Sequence, residues 1–312
     1  MTADRDTDHA QVDVVVVSYN SRAHLPGCIE PLLHEPEVHL IVVDNASPDG
    51  SLDVLRGLPV TTIQRSSNGG FAAGVNAGWQ AGSAPSVLLL NPDARIDVHS
   101  LRALRRVLDG APRIGAVAPR IVNGDGTLDY SQRRFPHLRS TYARALFLHR
   151  LFPGAAWTDE LVRDHEAYAR RTSPEWVSGA CILVRRDVLV ELEGLDEGFF
   201  MYSEDVDLCR RLRSAGYELV FEPAAVVEHV GGASTPRPRL LRALAASRVR
   251  YARKHHSRLV ALLERVGVAL EAATHAVVGR GGRSARAGHV RALLAVTKPA
   301  RASHTAREER PL

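Results

Sequence analysis

The chain has 312 residues, of which 45% are hydrophobic and 24% charged, as in a soluble protein with one large domain or two small ones. Its net charge of +5 is unevenly distributed: residues 1–236 carry 23 Lys and Arg against 31 Asp and Glu, and residues 237–312 carry 17 against 4. No apolar run reaches the roughly 20 residues of a membrane-spanning helix, and the polar residues 1–11 lack the apolar segment of a signal peptide.

The start of the chain and its cysteines indicate a cytoplasmic protein. We expect residues 1–11 to be a disordered lead-in. Cys28, Cys181 and Cys209 lie far apart and lack the spacing of metal ligands. We therefore interpret them as reduced residues of the core.

Short β-branched or aliphatic runs alternate with helix-length segments in the first half of the chain. They lie at residues 13–17, 40–43, 60–63, 86–90 and 114–118. Near-continuous apolar strands separated by helices predict an α/β fold with a mostly parallel sheet covered on both faces. Ligands of such sheets bind beyond the carboxyl ends of the strands.

Polar residues follow three of the predicted strands. They are Ser18 and Asn20, then Asp44 and Asn45, and finally Asn91 and Asp93. Asp44 is explained equally by a turn with a helix cap or by a carboxylate that accepts from the N–H of a nucleotide base. Asp93 follows a proline at a strand end, where a carboxylate is able to hold Mg²⁺ or Mn²⁺ together with a diphosphate.

Residues 67–82 contain five glycines and predict a helix that begins after Gly69-Gly70. The glycines favour either close packing of the helix on the sheet or the approach of backbone N–H groups to a phosphate. The first strand–helix turn has no Gly-x-Gly, which argues against a dinucleotide-dependent dehydrogenase.

The middle of the chain is less regular. Residues 123–135 predict a hairpin that turns at Asp125-Gly126. Residues 137–172 have no clear period, and we interpret them as a variable excursion, either a lid or a segment on the acceptor side. Further strands are predicted at residues 176–186 and 217–229.

A predicted helix begins at Ser203, a candidate N-cap, and ends before Gly216, directly after the aromatic run at residues 199–202. Three carboxylates crowd its start: Glu204, Asp205 and Asp207. Helix capping explains one of them, and a catalytic carboxylate kept ionised at the positive end of the helix is the alternative. Asp207 lies two residues after Asp205 and therefore points elsewhere.

The last part of the chain is basic and helical in pattern. His229 follows an apolar strand and precedes Gly231 and Gly232, so it is either a structural residue or a further group of a metal site.

After Pro236, apolar residues recur at helical spacing among arginines and predict two or more amphipathic helices with a disordered end, residues 301–312. The positive charge of this region predicts that it contacts the surface of an anionic membrane, and the alternative is that it forms a solvated helical cap on the domain. Tyr251 is its only aromatic residue, which argues against a nucleic-acid partner.

In this order, the motifs resemble those of inverting glycosyltransferases of family 2, which have the GT-A fold. The matching segments are VVSYNS, VVDNASPDGS, NGGFAAGVNAG, LLLNPDA, WVSGACILVRRDV, GLDEGFFMYSEDVDLCRRLRSAGY and HVGGAS. The resemblance extends over residues 12–258 and is greatest to the rhamnosyltransferase-like branch, which builds bacterial cell-wall or surface polysaccharides. It implies a GT-A domain over residues 12–236, which the basic helical region predicted from charge and spacing follows over residues 237–312.

The resemblance also implies roles for individual residues. Asp205 would be the general base, Asp44 would contact the nucleotide base, and Asp93 would bind the metal with help from His229. Asn91 stands where the family's Asp-x-Asp motif has its first acid, which leaves a single anionic ligand. The other implied donor-binding residues are Ser18, Asn20, Asn45, Asn68, Gly70 and Asn76, and the implied pocket residues are Trp176, Gly179, Ala180 and Glu204.

The implied activity is a metal-dependent inverting transfer, with Mg²⁺ or Mn²⁺, of a sugar to a lipid-linked or polysaccharide acceptor. The favoured donor is dTDP-L-rhamnose, and a UDP- or GDP-sugar is the alternative, because one carboxylate serves uracil and thymine alike. A non-catalytic nucleotide-sugar-binding protein is the other alternative, against which the joint presence of Asp93, Asp205 and His229 argues. The expected location is the cytoplasm, with contact to the inner face of the cell membrane.

Overall fold

The computed structural model describes residues 10–231, 237–279 and 282–297. The predictions for residues 1–9, for Gly232 and for residues 301–312 lie outside the described residues.

Strands and helices alternate along the chain as the apolar runs predict. The strands are β1 (Val12–Ser18), β2 (Val38–Asp44), β3 (Thr61–Gln64), β4 (Ser86–Leu90), β5 (Ala94–Ile96), β6 (Ile114–Val122), β7 (Gln132–Arg133), β8 (Trp176–Val177), β9 (Cys181–Arg185) and β10 (Glu218–His229). The helices are α1 (Leu25–Ile29), α2 (Phe71–Ala81), α3 (Val98–Asp109), α4 (Leu138–Ala145), α5 (Leu148–Leu151), α6 (Arg186–Glu191), α7 (Glu204–Ser214), α8 (Arg237–His255), α9 (Arg258–Val278) and α10 (Arg283–Thr297).

Eight of these strands form one mixed sheet in the order β3-β2-β1-β4-β9-β6-β10-β5. The neighbours of β1, which are β2 and β4, both run parallel to it. β9 is antiparallel to β4 and β6, and β5 is antiparallel to β10. Every residue of β1 and β4 is buried, as expected for strands covered on both faces. The parallel strands bring their polar carboxyl ends to one edge.

The prediction of one strand over residues 176–186 is wrong. Residues 178–180 separate β8, which pairs with β7 in a small second sheet, from β9 in the main sheet. The apolar run continues through the break, so the pattern does not reveal it. The break frees the backbone N–H of Gly179 from the main sheet.

Other local predictions are confirmed. Val122 and Leu128 form an antiparallel bridge around the turn at Asp125-Gly126, where Gly126 has a φ of 79°. All three cysteines are free and buried. The described residues after residue 236 form the helices α8, α9 and α10, and none of the described helices is both long enough and apolar enough to cross a membrane.

The described residues fall into two compact units. Residues 10–135 and 161–231 form the first unit, which contains the main sheet, and residues 136–160 with 237–297 form the second. The sequence suggested a division at residue 236, with residues 137–172 as an excursion of the first domain. The structure instead places α4 and α5 with the C-terminal helices.

A buried network of charged side chains explains why residues 136–160 belong to the second unit. Arg248 of α8 contacts Glu160 and Glu264, with N···O distances of 2.5 and 2.6 Å. Arg144 of α4 pairs with Glu271 of α9 at 2.9 Å. These pairs join α4 and the segment after it to α8 and α9.

Candidate active site

The carboxyl ends of β1 and β2 bring three buried polar side chains together. Ser18 lies opposite Asp44 in the parallel ladder, and the Asn45 N–H donates to the Ser18 carbonyl oxygen at 2.9 Å. Each residue is at most 2% exposed. Yet Ser18 Oγ, Asp44 Oδ1 and Asn45 Oδ1 have no hydrogen-bond partner among the described residues. Because buried polar atoms are nearly always paired, these oxygens are available to a bound ligand.

The second oxygen of Asp44 belongs to a turn. Asp44 Oδ2 accepts from the Ser47 N–H at 2.9 Å, and Ser47 Oγ accepts from the Asn20 N–H at 3.0 Å. Asn20 is exposed and has a φ of 54°, in the left-handed region. One carboxylate oxygen of Asp44 therefore stabilises the turn, and the other is available to a ligand.

The loop before α2 is joined to the loop before α7 at Gly70. The Gly70 N–H donates to Asn68 Oδ1 at 2.9 Å, and its carbonyl oxygen accepts from Asn45 Nδ2 at 3.0 Å. The Phe71 N–H donates to the Phe200 carbonyl oxygen at 2.9 Å. A Cβ on Gly70, whose φ is 86°, would lie 2.1 Å from that oxygen. Only glycine allows this approach, which holds the Asp44 end of the sheet near the start of α7.

Asn76, which the sequence suggested as a donor-binding residue, is not brought to this group. Its Nδ2 donates to Leu195 O and Glu197 Oε1, at 2.8 and 3.0 Å. Its Oδ1 accepts from the Leu195 N–H and from Trp79 Nε1, at 2.9 and 3.2 Å. The amide is fully used in holding the loop after α6 on α2, so its role in the structure is structural.

Asp93 and His229 meet at the ends of β4 and β10. Asp93 Oδ1 lies 3.2 Å from His229 Nε2, and Asn91 Nδ2 lies 3.3 Å from the same nitrogen. The Val230 N–H donates to the Asp93 carbonyl oxygen at 3.1 Å. Burial opposes ionisation of Asp93, but the hydrogen bond and charge of His229 outweigh it and lower the pKa of the carboxyl.

The chemistry of these groups fits a divalent cation with further ligands from elsewhere. A carboxylate oxygen and an imidazole nitrogen already face each other in the Asp93–His229 pair, as two ligands of one ion would. Within the described residues, no cluster of three or more His, Cys, Asp or Glu side chains is arranged to hold a metal by itself. The remaining ligands would thus be diphosphate oxygens and water, the usual situation for Mg²⁺ at phosphate sites.

Asp205 is the second residue of α7 and is held by the turn between β8 and β9. Its Oδ2 accepts from the Gly179 N–H at 3.0 Å and its Oδ1 from the Val206 N–H at 2.8 Å. A Cβ on Gly179 would lie 3.1 Å from the Asp205 Cβ, so glycine permits the contact. Burial raises the pKa of Asp205 despite these two N–H donors and the charge of Arg133. A half-buried carboxylate of raised pKa is suited to accept a proton.

The start of α7 has an unusual backbone. Tyr202 and Ser203 have φ values of 69° and 64°, in the left-handed region that few residues other than glycine adopt. Such strain is concentrated at functional sites. Ser203 is the N-cap residue, as predicted, but its side chain makes no capping hydrogen bond.

Two further carboxylates of α7 have different environments. Glu204 is 8% exposed and its Oε2 has no partner among the described residues. Burial, followed by the charge of Asp205, raises the pKa of Glu204 well above its ordinary value. Asp207 points away from both and pairs with Arg211 at 2.7 Å, as the helical spacing predicts.

Backbone hydrogen bonds connect the Asp93 and Asp205 ends of the site. The Asn91 N–H donates to the Ala180 carbonyl oxygen at 2.9 Å, and the preceding residue, Gly179, holds Asp205. The structure therefore brings the predicted base, the predicted metal ligands and the buried oxygens of Asp44 and its neighbours to one edge of the main sheet.

Trp176 and Arg133 complete this region. Trp176 is buried, and its Nε1 donates to the Arg134 carbonyl oxygen at 2.8 Å. The guanidinium of Arg133 lies over the indole, 5.2 Å from the ring centroid. Sequence reasoning missed Arg133, because the segment SQRRF was interpreted only as part of a hairpin. Its paired arginines were the available signal.

The family model described as "Glycosyltransferase like family 2" matches residues 9–256. The chain belongs to this glycosyltransferase family. The match confirms the family expected from the motifs and gives glycosyl transfer as the class of activity.

Relatives with curated names support the same branch of the family. The N-acetylglucosaminyl-diphospho-decaprenol L-rhamnosyltransferase of Mycobacterium tuberculosis is 34% identical over 239 residues, which are 72% of this chain and 77% of that protein. Rhamnosyltransferase WbbL of Escherichia coli is 38% identical over 96 residues, 31% of this chain and 33% of that protein.

Solved structures confirm the GT-A fold of this family-2 glycosyltransferase. The mannosyltransferase PcManGT from Pyrobaculum calidifontis, in complex with GDP-Man and Mn²⁺, has a TM-score of 0.55 at 15% identity and covers 94% of this chain and 87% of that chain. GalNAc-T7 with UDP, GalNAc and Mn²⁺ has a TM-score of 0.53 at 15% identity, over 72% of this chain and 44% of that chain. At such low identity the likeness concerns the fold alone.

Proposed function

We propose that this protein is an inverting glycosyltransferase that moves L-rhamnose from dTDP-L-rhamnose to a sugar carried on a prenyl diphosphate. The position of Asp205 carries the proposal. Asp205 accepts from the Gly179 N–H, and the carbonyl oxygen of the next residue, Ala180, accepts from the N–H of Asn91, at the strand end that also holds Asp93. In the proposal this arrangement supplies one base beside one diphosphate site, which is what a single displacement at an anomeric carbon requires. The rhamnosyltransferase of Mycobacterium tuberculosis supports the choice of sugar and acceptor.

In the proposed reaction, Asp205 takes the proton of the acceptor hydroxyl while that oxygen forms a bond to the anomeric carbon of the donor. The bond from this carbon to the diphosphate breaks on the opposite side, and the nucleoside diphosphate leaves with the electron pair. One displacement inverts the anomeric configuration. The two N–H groups that bind Asp205 orient its carboxylate and offset part of the cost of its charge.

The donor would lie across the strand ends. The unpaired oxygens of Asp44, Asn45 and Ser18 would accept from the base and ribose, and Asp93 with His229 would hold a divalent ion at the diphosphate. When bound, such an ion neutralises the charge that develops on the departing diphosphate.

A donor with uracil in place of thymine would satisfy the same Asp44 oxygen, so UDP-sugars are the second candidates. GDP-sugar donors, or a protein that binds nucleotide sugars without transferring them, are the remaining alternatives.

To test the proposed transfer, the protein is incubated with dTDP-L-rhamnose and a short-chain prenyl-diphospho-GlcNAc, and the product is analysed by mass spectrometry and NMR. The proposal predicts one added deoxyhexose with the anomeric configuration opposite to that of the donor. Retained configuration, or consumption of only a different donor, would contradict it.

We further propose that the second unit attaches the enzyme to the inner, cytoplasmic face of the membrane, where a lipid-linked acceptor resides. Most of the exposed large apolar side chains of the described residues lie in this unit. On α9, Leu259 and Leu262 are 65% and 55% exposed, and Leu263, Val266 and Leu270 continue the same stripe. The opposite face of α9 is the buried one, with Ala261, Glu264, Val268 and Ala272.

The second unit also exposes basic side chains. Arg258 at the start of α9 is exposed, and so are Arg283, Arg286 and Arg291 of α10. An apolar helix face with neighbouring arginines is typical of helices that lie in the interface of an anionic membrane. The stripe predicted from spacing thus faces solvent, and its apolar character supports the membrane contact over the alternative of a solvated cap.

The test is co-sedimentation with phosphatidylglycerol vesicles. The double change Leu259→Ser with Leu262→Ser should lower binding about 10- to 50-fold, since each half-exposed leucine contributes on the order of 1 kcal/mol on insertion. The matched control is Leu58→Ser with Val190→Ser, two exposed apolar residues of the first unit. Equal loss in both double variants would contradict the role of α9.

A further inference from the structure

Arg133 has an unexplained position beside the candidate base. It ends β7, lies opposite Trp176 in the small sheet and places its guanidinium over the indole. Its Nε is buried and has no hydrogen-bond partner among the described residues. No carboxylate of the described part of the chain forms an ion pair with it.

The neighbouring arginine shows that this is not a general property of the segment. Arg134 Nη1 donates to the Leu161 carbonyl oxygen at 3.0 Å, and the Arg134 carbonyl oxygen receives the indole N–H of Trp176. A buried guanidinium N–H without a partner is costly, and a ligand that accepts from it would remove this cost. The guanidinium of Arg133 is therefore available to bind an anionic ligand.

The surroundings indicate which anion this is. Arg133 pairs with Trp176 of β8, and β8 leads directly into the turn whose Gly179 N–H binds Asp205, so Arg133 belongs to the part of the site that contains the base. In agreement with this position, the charge of Arg133 opposes the rise of the Asp205 pKa. Asp93 and His229, where the proposed function places the donor diphosphate, lie at the ends of other strands, β4 and β10. An acceptor whose hydroxyl reaches Asp205 carries its own diphosphate one sugar ring away. A guanidinium matches phosphate oxygens in a bidentate manner.

We propose that Arg133, resting on Trp176, binds the diphosphate of the lipid-linked acceptor and so restricts the enzyme to acceptors with an anionic linker. The inference rests on the proposed transfer to a lipid-linked acceptor, but it concerns a residue and a subsite that the transfer mechanism does not use.

The experiment compares two GlcNAc acceptors, one linked through a diphosphate to a farnesyl chain and one linked directly to an octyl chain. The binding of each, and of dTDP, is measured by calorimetry, and turnover is followed in parallel. Arg133→Met should weaken binding of the farnesyl diphosphate compound about 10- to 100-fold and leave the affinities for octyl GlcNAc and dTDP unchanged. Arg133→Lys should restore part of the loss, because it retains the charge without the fork.

The matched control is Arg163→Met, because the guanidinium of Arg163 likewise lies over an aromatic ring, that of Tyr130, but is exposed. It should leave all three affinities unchanged. A loss of dTDP affinity in Arg133→Met would assign the residue to the donor and overturn the inference. An equal loss for both acceptors, or no measurable preference of the unaltered protein for the diphosphate compound, would also overturn it. Diphosphate binding that depends on Arg133 without turnover would uphold the subsite while refuting the proposed transfer.

Discussion

Replacing Asp205 with asparagine removes the charge of the candidate base and keeps its size. Each of its two carboxylate oxygens accepts a backbone N–H, from Gly179 at 3.0 Å and from Val206 at 2.8 Å. Asparagine has a single oxygen, so its NH₂ group faces one of these donors. The lost charge-assisted hydrogen bond costs about 1–3 kcal/mol of stability. Because burial already raises the pKa of Asp205, a neutral side chain recovers part of this cost.

The effect on turnover should be much larger than the effect on folding. General-base catalysis contributes about 10²- to 10⁴-fold, and asparagine accepts no proton at neutral pH. The unpaired oxygens of Ser18, Asp44 and Asn45 lie on other strands, so dTDP affinity should change less than about threefold. The expected result is transfer reduced by about 10²- to 10⁴-fold with nearly unaltered nucleotide binding.

The measurement is single-turnover transfer, with calorimetric titration of dTDP and thermal unfolding of the same samples. The matched control is Asp187→Asn, because Asp187 is an exposed aspartate in the first turn of α6 whose Oδ1 accepts from the next residue's N–H at 2.8 Å, as Asp205 Oδ1 does. It should transfer at the unaltered rate. Turnover within about tenfold of the original rate in Asp205→Asn would refute its assignment as the base.

Four other substitutions test separate parts of the structure. Asp44→Asn should weaken dTDP binding about 10- to 100-fold in calorimetry, since an NH₂ group replaces an accepting oxygen; equal affinity would exclude contact with the base. Gly70→Ala should lower the unfolding free energy by more than about 2 kcal/mol in denaturant titration, because the new Cβ meets a backbone carbonyl in the left-handed region. Glu204→Gln should become progressively more stable than the original protein as the pH rises above 4.5, the ordinary pKa of glutamate. The raised pKa of the buried Glu204 carboxyl means that its ionisation destabilises the original protein above that pH, whereas glutamine does not ionise. The measurement is the melting temperature of both proteins against pH, and a difference that is independent of pH would contradict this. Arg248→Met should cost about 3–5 kcal/mol, because two buried carboxylates lose their cation; a melting temperature within two degrees of the original would show that the network contributes little.

The edge of the sheet that holds the site was predictable from the strand pattern. Apolar runs that end in Ser18, Asp44 and Asn91 identify buried parallel strands, and parallel strands bring their carboxyl ends together. The prediction needed only the order of residue types along the chain. It did not require knowledge of any particular pairing.

Residues that depend on distant partners could not be assigned in this way. Asn76 looks like a binding residue on a glycine-rich helix, but its partner Leu195 lies 119 residues later. The break at residues 178–180 is hidden in a continuous apolar run, because it arises from the pairing of β8 with β7 and of β9 with β4. Such contacts are set by tertiary structure and leave no periodic signal.

The roles of Arg133 and of residues 136–160 were hidden for a related reason. Whether an arginine is exposed, paired or buried without a partner depends on its surroundings and not on its neighbours in sequence. The charges of residues 137–172 appeared unpatterned because Glu160 pairs with Arg248, 88 residues later in the chain. These residues became interpretable only when the helices of the second unit were seen together.

The most direct test of the proposed activity is a comparison of donors. Transfer to prenyl-diphospho-GlcNAc is measured with dTDP-L-rhamnose, UDP-galactose, UDP-glucose, UDP-GlcNAc and GDP-mannose, each with Mn²⁺ and with EDTA. We predict product from dTDP-L-rhamnose with Mn²⁺ and a large loss of product with EDTA, as expected if Asp93 and His229 hold an ion at the donor diphosphate. Product from a different donor alone would contradict the rhamnosyl assignment, and equal product in EDTA would contradict the metal site.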